Sequence, residues 1–248
     1  VCEMSGESKH SLVFYSHSDY SDAWSPMFGQ TDKYYDNSYK KYLFVNRGEH
    51  EVPSGWTIIQ YDDSLPYQQR VASCLEKLGS EDKIMFHHED MFLLSKPDFD
   101  KLDEIEQLID RDEAHFVKVC KATYRPHEFY LEKVKDVFYC PQDLAFAIQP
   151  TMCKVKNLQT IYQQTPGSNI WEFEANSNIT CARNNMVCCF VNREDERRIG
   201  MYHWESFTYP YVATAIVKGK WNTEDYASQL GAIFNEYSID PTVRGTNT

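Results

Sequence analysis

Short apolar runs, each closed by polar or turn-forming residues, punctuate the first half of the chain. Residues 11–15 (Ser-Leu-Val-Phe-Tyr), 41–46, 56–61 and 83–86 are rich in β-branched and aromatic side chains and too short for helices, so they predict strands. After the third run, Val71, Leu75 and Leu78 recur at helical spacing, which predicts a helix over 67–78. Asp62-Asp63-Ser64-Leu65-Pro66 supplies its start and Gly79 its stop. A short helix is expected over 23–28. A longer one over 97–109 sets Leu102, Ile105, Leu108 and Ile109 on one face, and 116–120 is a further strand. Strands alternating with helices predict an α/β fold with a mixed, mostly parallel sheet flanked by helices.

The second half is less regular. Residues 139–151 read as extended and 154–164 as a helix. A second helix opens at Trp171-Glu172-Phe173-Glu174, and Asn176 to Asn178 should interrupt it. A strand over 186–191 and a helix near 223–234 follow. No internal repeat or low-complexity linker divides the chain, so 1–248 is expected to form a single domain.

In such sheets ligands sit beyond the carboxyl ends of the strands. The loops 16–22, 62–66 and 87–90 all follow strands and are expected to converge on one cleft. The run Phe86-His87-His88-Glu89-Asp90 is the leading candidate site. A hard cation such as magnesium takes oxygen ligands, commonly one or two carboxylates plus substrate phosphates, so Glu89 and Asp90 fit a metal that bridges a diphosphate. Their other reading is a solvated loop after a core histidine. Zinc suits the run less well, because neighbouring His87 and His88 on a strand face opposite ways and convergence would need distant His17, His127 or His203. The strand-to-helix turn after residue 61 offers free N–H groups to a phosphate, with Arg70 on the first turns of the helix; Asp62, Asp63 or Ser64 would cap that helix in any case. In the run 171–174, Glu172 or Glu174 has aromatic neighbours that raise a carboxyl's basicity, as a general base for an acceptor hydroxyl requires. An exposed helix start is the competing reading.

Composition narrows the classes. The net charge of -12 disfavours general binding to nucleic acid, and an acidic protein that holds a phosphorylated ligand needs an ion or a few placed basic groups. Aromatics make up 15% of the chain, a supply of rings for a sugar or nucleobase cleft. The eight cysteines include no Cys-x-x-Cys pair and several lie in apolar runs, so free thiols, a reducing compartment and a cytoplasmic location are expected. No 18-residue apolar run predicts a transmembrane helix, and the polar start 1–7 does not read as a signal peptide. Gly-x-Gly-x-x-Gly, the P-loop and Gly-x-Ser-x-Gly are all missing from the sequence.

The ordered set of Tyr61-Asp62-Asp63-Ser64-Leu65-Pro66 through Arg70, Phe86-His87-His88-Glu89-Asp90-Met91-Phe92-Leu93, Gln149-Pro150 and Ile170-Trp171-Glu172-Phe173-Glu174 resembles glycosyltransferases of the GT-A fold found in large algal DNA viruses and marine microbes. The likeness covers roughly 11–180. It implies a Rossmann-like α/β domain whose half at about 11–120 binds the nucleotide sugar and whose half at about 121–248 binds the acceptor. It implies a UDP- or GDP-linked donor, a glycan acceptor hydroxyl and often manganese or magnesium. Glu89 and Asp90 stand where the family's Asp-x-Asp motif contacts metal and diphosphate. This chain has His-Glu-Asp there; in families without the ion, basic side chains substitute, and Arg70 and Lys118 would serve. Ser16, His17, Ser18 and Asp19 would border the nucleobase and ribose; Asp62, Ser64, Arg70, His88, Glu89 and Asp90 would hold the rest of the donor. Glu172 or Glu174 would be the base of an inverting transfer, with Asp90 beside the reacting centre. A metal-dependent hydrolase and a non-catalytic glycan-binding domain are the competing classes. For a viral protein the expected location is the host cytoplasm.

Overall fold

Every residue of β1 (Ser11–Tyr15) is buried, and its alternating side chains feed two separate cores. The computed structural model describes residues 9–121, 132–200 and 203–247. It continues through α1 (Trp24–Tyr34), β2 (Lys41–Val45), β3 (Trp56–Gln60), α2 (Tyr67–Leu75), β4 (Lys83–His88), α3 (Phe99–Asp110), β5 (Phe116–Lys118), β6 (Glu132–Val134), β7 (Val137–Tyr139), β8 (Thr151–Lys154), α4 (Val155–Gln164), α5 (Ile170–Arg183) and β9 (Cys188–Val191). Two small ribbons, β10 (Arg198–Ile199) with β11 (His203–Trp204) and β12 (Ile216–Val217) with β13 (Lys220–Trp221), precede α6 (Thr223–Tyr237) and α7 (Pro241–Arg244).

The main sheet has the order β3-β2-β1-β4-β8-β5-β9-β7-β6. β1 pairs in parallel with β2 and β4, β2 with β3, and β5 with β9; β8 runs antiparallel between β4 and β5. The fold is therefore a mixed, mostly parallel α/β sheet. One face carries α1, α3 and α6 against Leu12, Phe14 and Met85. The other carries α2, α4 and α5 against Val13, Tyr15, Ile84 and Phe86. No helix among the described residues is long and apolar enough to cross a membrane. The described cysteines are free thiols, all buried except the half-buried Cys140. His127 lies outside the described residues.

Some elements depart from the sequence reading. α1 extends to Tyr34, well past residue 28, and buries Trp24, Met27 and Phe28. α2 gives way at Leu75, where the amides of Lys77 and Leu78 bond only three residues back, to Cys74 and Leu75. α5 is not interrupted at residues 176–178. Asn176 donates to Pro166 O, Ser177 to Phe173 O and Asn178 to Glu174 O, so these polar side chains find partners compatible with the helix instead of breaking it. The extended segment 139–151 resolves into the end of β7, a 3-10 turn at Gln142–Leu144 and the start of the reversed strand β8.

Candidate functional site

Strand order changes direction at β1: β2 lies on one side and β4 on the other. A crevice at the carboxyl ends of two such strands is where open α/β sheets bind ligands. Here that switch point lies between the loop after Tyr15 and the run Glu89-Asp90.

The three loops after β1, β2 and β3 are tied together on its first side. His17 Nε2 lies 3.2 Å from Asp63 Oδ2, and Asn46 Nδ2 donates to the same oxygen at 3.4 Å and to Ser18 Oγ at 3.1 Å. Ser18 N donates in return to Asn46 Oδ1 at 2.9 Å. The hydrogen bond from His17, with Arg70 adding its charge, holds the Asp63 carboxyl below its ordinary range. Asp19 projects into solvent. Asp62 accepts the N–H and hydroxyl of Ser64, a local turn that also lowers its pKa. Two of the sequence candidates are spent inside the protein. Ser16 is fully buried; its hydroxyl accepts from Trp24 Nε1 at 2.7 Å and its carbonyl from Tyr61 OH at 2.8 Å. Arg70 pairs with Asp63 at 3.1 Å and donates to the carbonyls of Leu65 and Asp63, both at 2.6 Å, so its fork shapes the turn over 62–66.

β4 forms the second side. Glu89 N donates to Tyr15 O at 3.1 Å, which carries the strand pairing one residue past β4. The Glu89 side chain is buried, with the residue only 8% exposed, yet among the described residues no other side chain or backbone group hydrogen-bonds or ion-pairs with its carboxylate. Asp90 is anchored: its Oδ2 accepts from Ile216 N at 3.1 Å and its carbonyl from Ala215 N at 3.1 Å. Burial raises both carboxyl pKa values, and the Asp90 charge raises that of Glu89 further. Burial therefore outweighs the hydrogen bond from Ile216 N to Asp90 and the nearby positive charge. His88 Nε2 lies 2.9 Å from Tyr67 OH, which lies 2.9 Å from Tyr162 OH. His87 faces the other core, 2.6 Å from Tyr209 OH, as strand alternation requires.

The two α5 carboxylates differ. Glu172 is exposed and accepts from Ser168 N at 2.8 Å while Asn169 Oδ1 accepts from Glu172 N at 3.0 Å, a reciprocal helix cap that lowers its pKa. Glu174 is half-buried, accepts from Ile148 N at 2.6 Å, and has its pKa raised by burial. Burial chiefly, and its charge in part, raise the pKa of Tyr67 and Tyr162. Lys118, the other proposed substitute for an ion, is buried and donates to Leu144 O and to Ala145 O.

Arg244 is the residue that sequence reasoning missed. It stands on α7, far beyond residue 180, and no motif marks it. Its Nε donates to Asp22 Oδ2 at 2.7 Å, its Nη2 to Asp22 Oδ1 and its Nη1 to Gly219 O at 3.2 Å, while the guanidinium lies 5.0 Å from the Tyr20 ring and 5.7 Å from the Trp221 ring. Its charge lowers the pKa of both Glu89 and Asp90.

No family model and no curated protein matches the sequence. Solved structures that overlay the chain include the Francisella tularensis 2-C-methyl-D-erythritol 4-phosphate cytidylyltransferase, at 12% identity and TM-score 0.43 over 74% of this chain and 90% of that one. S. aureus TarS overlays at 10% identity and TM-score 0.49, over 92% of this chain and 39% of its own. A UDP-glucose pyrophosphorylase complexed with UDP-glucose overlays at 7% identity and TM-score 0.49, over 92% and 99%. At such values these likenesses decide neither substrate nor reaction.

Proposed function

We propose that the chain is a glycosyltransferase that takes a nucleotide-diphosphate sugar in the crevice between β1 and β4 and transfers the sugar to a glycan hydroxyl. The observation that carries this reading is the buried Glu89 beside the anchored Asp90 at the sheet's switch point. A strand-end carboxylate pair fits a magnesium- or manganese-type ion that draws its other oxygens from phosphates. Such an ion would stabilise charge on the departing nucleoside diphosphate. Glu89 and Asp90 would hold it.

The protein's own groups supply the rest. His17, Ser18 and Asp19 border the space for nucleobase and ribose, with Asn46 and Asp63 fixing the loop that carries them. His88, kept neutral by burial, spends its Nε2 on Tyr67 and so fixes the end of the strand that carries the acids. Glu174 is the preferred general base, because burial raises its basicity while Glu172 is committed to capping α5. A direct attack by the acceptor hydroxyl, with Glu174 taking its proton, inverts the anomeric centre.

The test is a thermal-shift and calorimetric screen of UDP, GDP and their sugar conjugates with and without manganese, on the wild type and on Asp90→Asn. The variant keeps an oxygen for Ile216 N, so the fold survives. It is expected to lose at least about tenfold in affinity, or ~1.4 kcal/mol. Absence of any nucleotide-dependent shift rejects the transferase. Turnover of the donor at full rate without an acceptor would instead favour a hydrolase, and sugar binding without nucleotide binding a glycan-binding domain.

A further inference from the structure

The crevice has a charge problem. Asp19, Asp22, Asp62, Asp63, Glu89 and Asp90 gather at the carboxyl edge of β1, β3 and β4, and a diphosphate brought there meets carboxylates. Two basic groups that the sequence offers as relief are occupied elsewhere: Arg70 by the turn over 62–66, and Lys118 by the carbonyls of Leu144 and Ala145. Arg244 arrives from the opposite end of the chain; its Nη1 donates to Gly219 O at 3.2 Å, and its Nε–Nη2 edge is held by a side chain, Asp22. Asp90 anchors Ile216, Ile216 pairs with Trp221 across β12 and β13, and the Trp221 ring flanks the Arg244 guanidinium. The β12–β13 ribbon therefore links the arginine to the acidic strand end. Asp22, the partner that holds the fork, belongs to the loop after β1 and is 42% exposed in its side chain, so that partner borders solvent.

We propose that Arg244 is a diphosphate-binding residue of this crevice, parked on Asp22 while the site is empty and transferred to the phosphates when they enter. The inference rests on the nucleotide-sugar reading above and adds a residue, and a competitor for it, to that site. An arginine fork matches carboxylate and phosphate oxygens alike, so one replaces the other with little change in geometry. The Tyr20 and Trp221 faces keep the guanidinium near the same place in both states.

Binding of UDP, GDP, UMP and GMP is measured by calorimetry without divalent ions on the wild type, Arg244→Gln and Asp22→Asn. Arg244→Gln is expected to weaken the diphosphate that binds by about tenfold or more and its monophosphate little. Asp22→Asn, which removes the competitor, is expected to tighten the same diphosphate. Opposite signs in the two variants are the mark of competition. If the pair only pins the C-terminal segment, both variants unfasten it and both shift affinity in the same direction or not at all, which overturns the inference alone. If the wild type binds neither diphosphate even when manganese is added, this inference and the transferase reading fall together. Arg244→Lys guards against a misfolded variant: it keeps the charge and loses the fork, and unaltered preference for the diphosphate in it counts against a bidentate contact.

Discussion

His87 and His88 leave β4 on opposite faces of the sheet, and each ring ends on a tyrosine hydroxyl: His87 Nε2 is 2.6 Å from Tyr209 OH and His88 Nε2 is 2.9 Å from Tyr67 OH. The strand end that carries Glu89 is thus clamped from both cores. Tyr67 OH also meets Tyr162 OH at 2.9 Å, so one hydroxyl serves two buried partners. Tyr67→Phe strips both at once. It is expected to destabilise by about 1–3 kcal/mol, the worth of two hydrogen bonds, and a shift in the urea midpoint without a change in slope checks this.

Both imidazoles are held neutral. Burial pushes His87 down to about 3 and His88 to about 4, from an ordinary value of 6.5. A depressed histidine contributes stability that is complete above its unfolded pKa and is lost as pH falls toward its folded one. The loss therefore falls in the window from about pH 6.5 down to about pH 4 for His88. His88→Gln keeps a hydrogen-bonding group facing Tyr67 and removes the titration. Its melting temperature is expected to fall less steeply than the wild type's across that window, and parallel curves would refute the assignment.

Glu89 has the opposite sign. Its carboxyl is raised by burial and by Asp90, so the folded state holds a proton that the unfolded state releases. Ionised Glu89 costs stability above its folded pKa, and that cost fades as pH falls toward the ordinary glutamate range. Glu89→Gln is expected to melt higher than the wild type in alkaline buffer, by about 2–4 °C for each kcal/mol recovered, with the gain vanishing in mild acid. The same variant is expected to lose donor binding. Stability gained where binding is lost is the signature of a residue kept for function, and a variant that melts lower in alkaline buffer would contradict it.

The period-two and helical patterns made most of the sheet and its flanking helices legible, because burial imposes those periods directly on residues such as Leu12, Val13, Ile105 and Leu108. The reversed strand β8 was hidden: Thr151 to Lys154 is fully buried on both faces and runs without a break into α4, so neither alternation nor a turn marks it. The strand-end acids were visible as composition after an apolar run. That Arg70 and Lys118 are consumed by backbone carbonyls was not, since nothing local separates a lysine facing a carbonyl from one facing a cleft. Arg244 lies 222 residues from Asp22, and a contact made by tertiary folding alone leaves no trace in either neighbourhood.

The two glutamates of α5 offer the sharpest kinetic contrast. They lie two residues apart, so the helix points them in different directions, one to a cap and the other beneath the loop at Ile148. Glu174→Gln keeps an oxygen for Ile148 N and removes the basic group. If Glu174 takes the acceptor proton, its loss lowers kcat by about 10²–10⁴ while donor affinity stays near that of the wild type. Because its pKa is raised, the wild-type rate is expected to fall as acid protonates it, and that acid limb is expected to disappear in the variant. Glu172→Gln keeps an acceptor for Ser168 N and sits in solvent, so turnover should hold while the helix start loosens slightly. Steady-state rates for both variants against donor and acceptor decide the assignment: equal losses in the two, or a large loss in Glu172→Gln alone, would move the base away from Glu174.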